Sequence, residues 1–104
     1  FIKGYIHTNF EQELSLEVLA GVAYLSPTYL SKLFKKNVGE NISSYIQHVR
    51  IDKAKEMLRL TTNRNYEVAK AVGIDDPVYF SRLFKKHTGM KPSDYRKIFS
   101  EVRT

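Results

Sequence analysis

The chain has 104 residues, 42% of them hydrophobic, and carries 17 Lys and Arg against 11 Asp and Glu, a net charge of +6. That is the size of one small domain with a modest core. Without a single cysteine there is no disulfide framework and no cysteine-based zinc site, and no apolar run approaches the ~20 residues of a membrane span.

The first helix is expected over about Ile2 to Asn9, with Ile2, Tyr5 and Ile6 turned to the core. A second starts near Ser15, where Leu16, Leu19, Ala20, Ala23 and Leu25 give a short amphipathic pattern. Next comes "SPTYLSKLFKK". Ser26 is a good N-cap, and Pro27 sits at the first helical position, where a missing N–H costs nothing. Leu30, Leu33 and Phe34 follow i, i+3, i+4 spacing, and Gly39 is a left-handed C-cap candidate. The opposite face carries Thr28, Ser31, Lys32 and Lys35, with no acid between Thr28 and Lys36. A merely solvated helix face usually mixes acids and bases. This one is suited to phosphates and base edges.

From an N-cap at Asn41 no Pro or Gly interrupts the chain until Leu60. About twenty helical residues span roughly 30 Å. Ile42, Tyr45, Ile46 and Val49 form one stripe, and Ile51, Ala54, Met57 and Leu58 another on a different face, as expected of a helix shared by two bodies. Arg50 between them reads as a tether. The run Thr61 to Asn65 is loop-like.

The second half then repeats the first. At an offset of fifty, ten of the twenty positions from Ser26 to Tyr45 recur between Asp76 and Tyr95, among them Pro77, Tyr79, Ser81, Leu83, Phe84, Lys85, Lys86 and Gly89. Asp76 is the equivalent N-cap and Gly89 the equivalent C-cap. Val78, Ser81, Arg82 and Lys85 stand on the acid-free face. Upstream, Val68, Ala69, Val72 and Ile74 match Leu19, Ala20, Ala23 and Leu25 at an offset of forty-nine, so the second turn holds one more residue. Short helix, tight turn and basic helix make a helix-turn-helix, written twice. The last helix is expected from Pro92 to about Val102, with Tyr95, Ile98 and Phe99 buried.

The expected fold class is therefore all-α: seven helices forming two helix-turn-helix subdomains joined by a long linker helix. The ranges are 1–40 for the first unit, 41–60 for the linker and 61–104 for the second unit, within one domain of 1–104. The three histidines, His7, His48 and His87, fall on different elements without metal spacing, and no phosphate loop or nucleophile elbow is present. The chain is read as no enzyme, with no cofactor and no metal. Tyr29, Tyr79, Tyr45 and Tyr95, beside Leu33, Leu83, Ile46 and Phe99, read as structural flanks and not as a stacking platform. A basic protein-interaction module is the rival to nucleic-acid binding. Preference for one duplex sequence separates the two.

The stretches "LSPTYLSKLFKKNVG", "YIQHVRIDKAKEML" and "EVAKAVGIDDPVYFSRLFKKHTGMKPSDYRK" resemble, in order and spacing, the AraC/XylS family of bacterial transcription regulators. The resemblance covers about Ile2 to Lys97. It implies sequence-specific binding to double-stranded DNA, usually to activate transcription beside RNA polymerase. Base contacts would come from Thr28, Ser31 and Lys32 and from Val78, Ser81 and Arg82, the last well suited to guanine. Lys35, Lys36, Lys85 and Lys86 would hold phosphates.

The pattern looks most like members fused behind a receiver domain in two-component response regulators. Opening on Phe1 and not on a Met, the chain reads as a fragment whose dimerisation lies in a missing N-terminal domain. A cytoplasmic location fits the absence of cysteine. The family usually has an aliphatic residue where Asn65 stands, at the place of Leu16 in the first unit. That departure predicts that the second unit is the looser of the two.

Overall fold

Local rules explain where most of the helices start and stop. In a computed structural model describing residues 1–102, seven helices follow one another: α1 (Ile2–Thr8), α2 (Leu16–Ala23), α3 (Pro27–Val38), α4 (Ile42–Leu60), α5 (Asn65–Ala71), α6 (Pro77–Thr88) and α7 (Pro92–Phe99). Arg103 and Thr104, the end of the range expected for the second unit, lie outside the described residues. Ser15 Oγ accepts from the Val18 N–H at 3.1 Å and starts α2. Ser26 Oγ accepts from Tyr29 N–H at 3.2 Å and starts α3. Asn41 Oδ1 accepts from Ser44 N–H at 2.8 Å and starts α4. At α5 the bond runs the other way, with Glu67 Oε1 accepting from the Arg64 N–H at 2.8 Å. Each bond satisfies one of the donors that a helix start leaves open. Gly39 and Gly89 end α3 and α6 in the left-handed conformation, at φ 91° and 81°.

The chain forms two compact units, Phe1–Val49 and Arg50–Thr104. In the first, Ile6 of α1, Leu19 and Ala20 of α2, Leu30 and Phe34 of α3, and Ile42, Ile46 and Val49 of α4 make the core. Ala20, at 2% exposure, is small enough for α2 and α3 to approach closely. In the second, Ile51, Ala54 and Leu58 of α4 are buried, as are Val68, Ala69, Val72, Ile74, Phe80, Leu83 and Phe84. The two stripes of α4 thus serve the units in turn. Phe34 meets the Tyr45 ring edge-on at 5.4 Å, and Phe84 meets Tyr95 likewise at 5.3 Å.

The turns inside the two helix-turn-helix units share their hydrogen bonds. Leu25 N–H donates to the Ala20 carbonyl and Ile74 N–H to that of Ala69. Both require a left-handed residue one position earlier. Gly73 supplies it at φ 89°, whereas in the first unit Tyr24 is forced to φ 57° with its side chain in solvent. For a residue with a Cβ that backbone costs about 1–2 kcal/mol.

Three expectations need correction. α7 stops at Phe99, and Ile98 and Phe99 are exposed, at 63% and 43%. The helix is anchored instead by buried Pro92, by the Tyr95 ring, and by Arg96 Nε, which donates to the Leu58 carbonyl at 3.3 Å. Glu101 N–H then bonds the Arg59 carbonyl, so the chain leaves the helical path there. Tyr45 and Tyr95 are half-buried ring partners as expected, but Tyr29 and Tyr79 are more exposed, at 55% and 47%, with Tyr79 set against Arg50. Finally, burial does not make the second unit the looser one. Leu83 is 5% exposed, while its counterpart Leu33 is half-buried. Leu33 lines an apolar cleft of about 390 Å³ with Phe1, Ile2, Ala23, Leu25 and Val38.

Candidate nucleic-acid interface

A helix presents its N-terminal turn to a partner only if that turn is capped and uncovered. Both basic helices meet this condition. On α3, Ser26, Pro27, Thr28, Lys32, Lys35 and Lys36 are exposed. On α6, Asp76 Oδ1 accepts from Val78 N–H at 2.9 Å and Tyr79 N–H at 3.4 Å, and Pro77, Val78, Arg82, Lys85 and Lys86 are exposed. Ser31 and Ser81 are half-buried, because each lies beside the apolar stripe of its helix. Val78 leaves 62% of an aliphatic side chain in the open at the leading turn. Nothing in the core rewards that placement.

The charges sort by location. Among the described residues the ion pairs are Lys53–Glu56 and Lys55–Asp52 on α4, Arg59–Glu101, and His48–Glu40. None involves Lys32, Lys35 or Lys36 of α3, or Arg82, Lys85 or Lys86 of α6. The two basic helices therefore keep their positive field, while the cations of α4 have acidic partners.

Arg50 belongs to the internally compensated set. Burial lowers its guanidinium from the ordinary value, and Tyr79 and Asp75 oppose that shift. All three lie in the second unit, and Asp75 falls in the stretch by which the second turn is one residue longer. His7 Nε2 lies 2.7 Å from the Tyr45 hydroxyl, and burial, with Glu40 adding, pushes that phenol up. His48 faces Glu40 at 3.0 Å.

Residues that sequence reasoning did not place at a site stand beside α6. Asn65 at the start of α5, and Lys91 and Ser93 at the start of α7, join Ser81, Arg82 and Lys85 around a cleft of about 210 Å³. One signal was available: Lys91 occupies an N-cap position without a side-chain cap bond, where Ser, Thr, Asp or Asn is preferred.

Comparison with known proteins agrees with this architecture. A family described as a helix-turn-helix domain matches residues 19–98. The chain belongs to the AraC-type helix-turn-helix family. It is 40% identical over 103 residues to an uncharacterized HTH-type transcriptional regulator, YijO, of Escherichia coli K12, covering 99% of this chain and 36% of that protein. The chain thus spans about a third of the length of this relative. The C-terminal domain of AraT, a response regulator from Geobacillus stearothermophilus, superposes with a TM-score of 0.92 at 36% identity, over 99% of this chain and 88% of that one. The C-terminal domain of the two-component response regulator yesN from Fusobacterium nucleatum gives 0.88 at 38% identity, over 91% and 93%. Like other AraC-type helix-turn-helix domains, the chain is a sequence-specific DNA-binding domain of a transcription regulator.

Proposed function

We propose that each helix-turn-helix unit of this AraC-type domain places its basic helix in the major groove, and that the two units read successive grooves of one duplex. The observation that carries the reading is the pair of capped, exposed helices α3 and α6, each with an acid-free face and cations outside every ion pair of the described residues. Thr28, Ser31 and Lys32 contact bases in one groove and Val78, Ser81 and Arg82 in the next. Arg82 pairs with guanine O6 and N7, and Val78 meets a thymine methyl. Lys35, Lys36, Lys85 and Lys86 hold phosphates and fix register without reading sequence.

A single short helix reads only a few base pairs. Two of them within one chain read a longer, asymmetric site, which explains why the pattern is written twice. The segment itself is not catalytic. It acts in the cytoplasm within a longer bacterial regulator of the response-regulator kind, an activator that works beside RNA polymerase and dimerises through another domain.

The test is selection of bound duplexes from a random library of about 30 base pairs at near-physiological salt. Two enriched boxes about ten base pairs apart are expected, one successive groove from the next. One box would remove one unit from base reading. Binding without any enrichment would overturn the reading in favour of a basic surface that makes no sequence choice.

A further inference from the structure

The second unit breaks two local rules at one place. Lys91 is the N-cap of α7 but makes no cap bond, whereas its counterpart Asn41 caps α4 at 2.8 Å. A cation there also opposes the positive end of the helix dipole. Asn65, at the first position of α5, replaces the aliphatic Leu16 of the first unit and is half-buried. Rule-breaking of this kind concentrates where function compensates for it. Here the two offenders meet. Asn65 and Lys91 line the same cleft as Ser81, Arg82, Lys85 and Ser93.

Beside Pro92 and the aliphatic stems of its long side chains, the cleft is lined by residues carrying three cations, two hydroxyls and one carboxamide. Among the described residues, the structure records no hydrogen bond or ion pair for any of these six side chains. The acids nearest in sequence do not line it. Glu67 accepts from the Arg64 N–H, and Asp94 lies on α7 outside the lining. A cleft of about 210 Å³ on the flank of α6 has room for one phosphodiester group. Lysine and arginine side chains long enough to reach into such a cleft can give its two free oxygens charge-assisted hydrogen bonds.

We infer that the second unit holds one backbone phosphate of the bound duplex in this cleft, with Lys91 and Lys85 supplying charge and the Asn65 carboxamide an added hydrogen bond. The first unit lacks the equivalent, because Leu16 and Asn41 stand in the two places. The second unit is then the stronger backbone anchor of the pair. The inference rests on the DNA-binding reading above.

The experiment measures binding of the 104-residue chain to a mixed-sequence duplex of about 30 base pairs by fluorescence anisotropy, from about 50 to 200 mM salt. Asn65→Leu restores the aliphatic residue of the first unit. It is expected to weaken binding about threefold to tenfold with an unchanged salt slope, since no charge is lost. Lys91→Asn restores the cap. It is expected to weaken binding about tenfold and flatten the slope by about one. Both variants should melt at or above the temperature of the parent, so a lost fold does not explain the losses. Asn65→Asp keeps the shape and favours the helix start, yet should weaken binding more than Asn65→Leu.

If the parent binds duplex and all three variants match it in affinity and slope, the phosphate site is overturned while the DNA reading stands. If the parent binds no duplex at any salt, the DNA reading falls first. Equal weakening by Asn41→Ala and Lys91→Asn would overturn the asymmetry between the units.

Discussion

The two helix-turn-helix units are built from one pattern but resolve its local demands differently. The first follows the rules at its rim. Asn41 caps α4, and Leu16 keeps the start of α2 apolar. It leaves the rules in its turn, where Tyr24 is held left-handed, and at Leu33, which borders an open apolar cleft. The second unit is the reverse. Gly73 fits its turn, and Leu83, Phe80 and Phe84 are closed in. At its rim, Lys91 and Asn65 replace a cap and an apolar contact with groups that can hold an anion. The same helical pair can therefore favour core closure or surface chemistry at equivalent positions. The repeat does not dictate which.

Burial sets the largest test of this contrast. Leu83→Ala should cost about 2–5 kcal/mol in chemical denaturation, and Leu33→Ala clearly less, since a half-buried side chain loses less on truncation. Equal losses would mean that the first unit is as closed as the second. Hydrogen exchange checks the same point: amides of α6 should be better protected than those of α3.

Base reading comes next. Arg82→Ala should cost about 1–3 kcal/mol on the preferred site and relax one position of it, whereas a loss equal on all sequences would make Arg82 a phosphate contact. Lys32→Ala is the matched variant in the first unit.

Caps follow. Asp76 accepts two N–H groups and Ser26 one. Asp76→Ala should therefore destabilise by about 1–2 kcal/mol and Ser26→Ala by about 1 kcal/mol, read from thermal melts. The smallest effect is a gain. Tyr24→Gly relieves the left-handed strain and should stabilise by about 0.5–1 kcal/mol, the added freedom of the unfolded chain offsetting part of the relief. A loss of stability would show that the exposed Tyr24 ring has a contact worth more than the strain.

Much of this molecule is decided by residues close together in the chain. Ser26 with Pro27, Asp76 with Pro77, and the glycines at 39 and 89 mark helix ends through bonds reaching no more than four residues. The i, i+3, i+4 stripes of α3 and α6 and the two stripes of α4 are equally local, so the element order and the core faces were legible in the sequence. So were the acid-free faces carrying Lys32 and Arg82.

What tertiary structure decided depends on which body stands opposite a side chain, and residues far away in sequence settle that. Ile98 and Phe99 have the spacing of a buried stripe, but α7 is pinned through Pro92 and Arg96, and both remain exposed. Leu33 and Leu83 occupy the same repeat position and differ in burial, Leu33 bordering an open cleft with Phe1 and Ile2 of the chain start while Leu83 is closed in. Asn65 and Lys91, twenty-six positions apart, look like two unrelated defects until α5, α6 and α7 bring them to one cleft with Arg82.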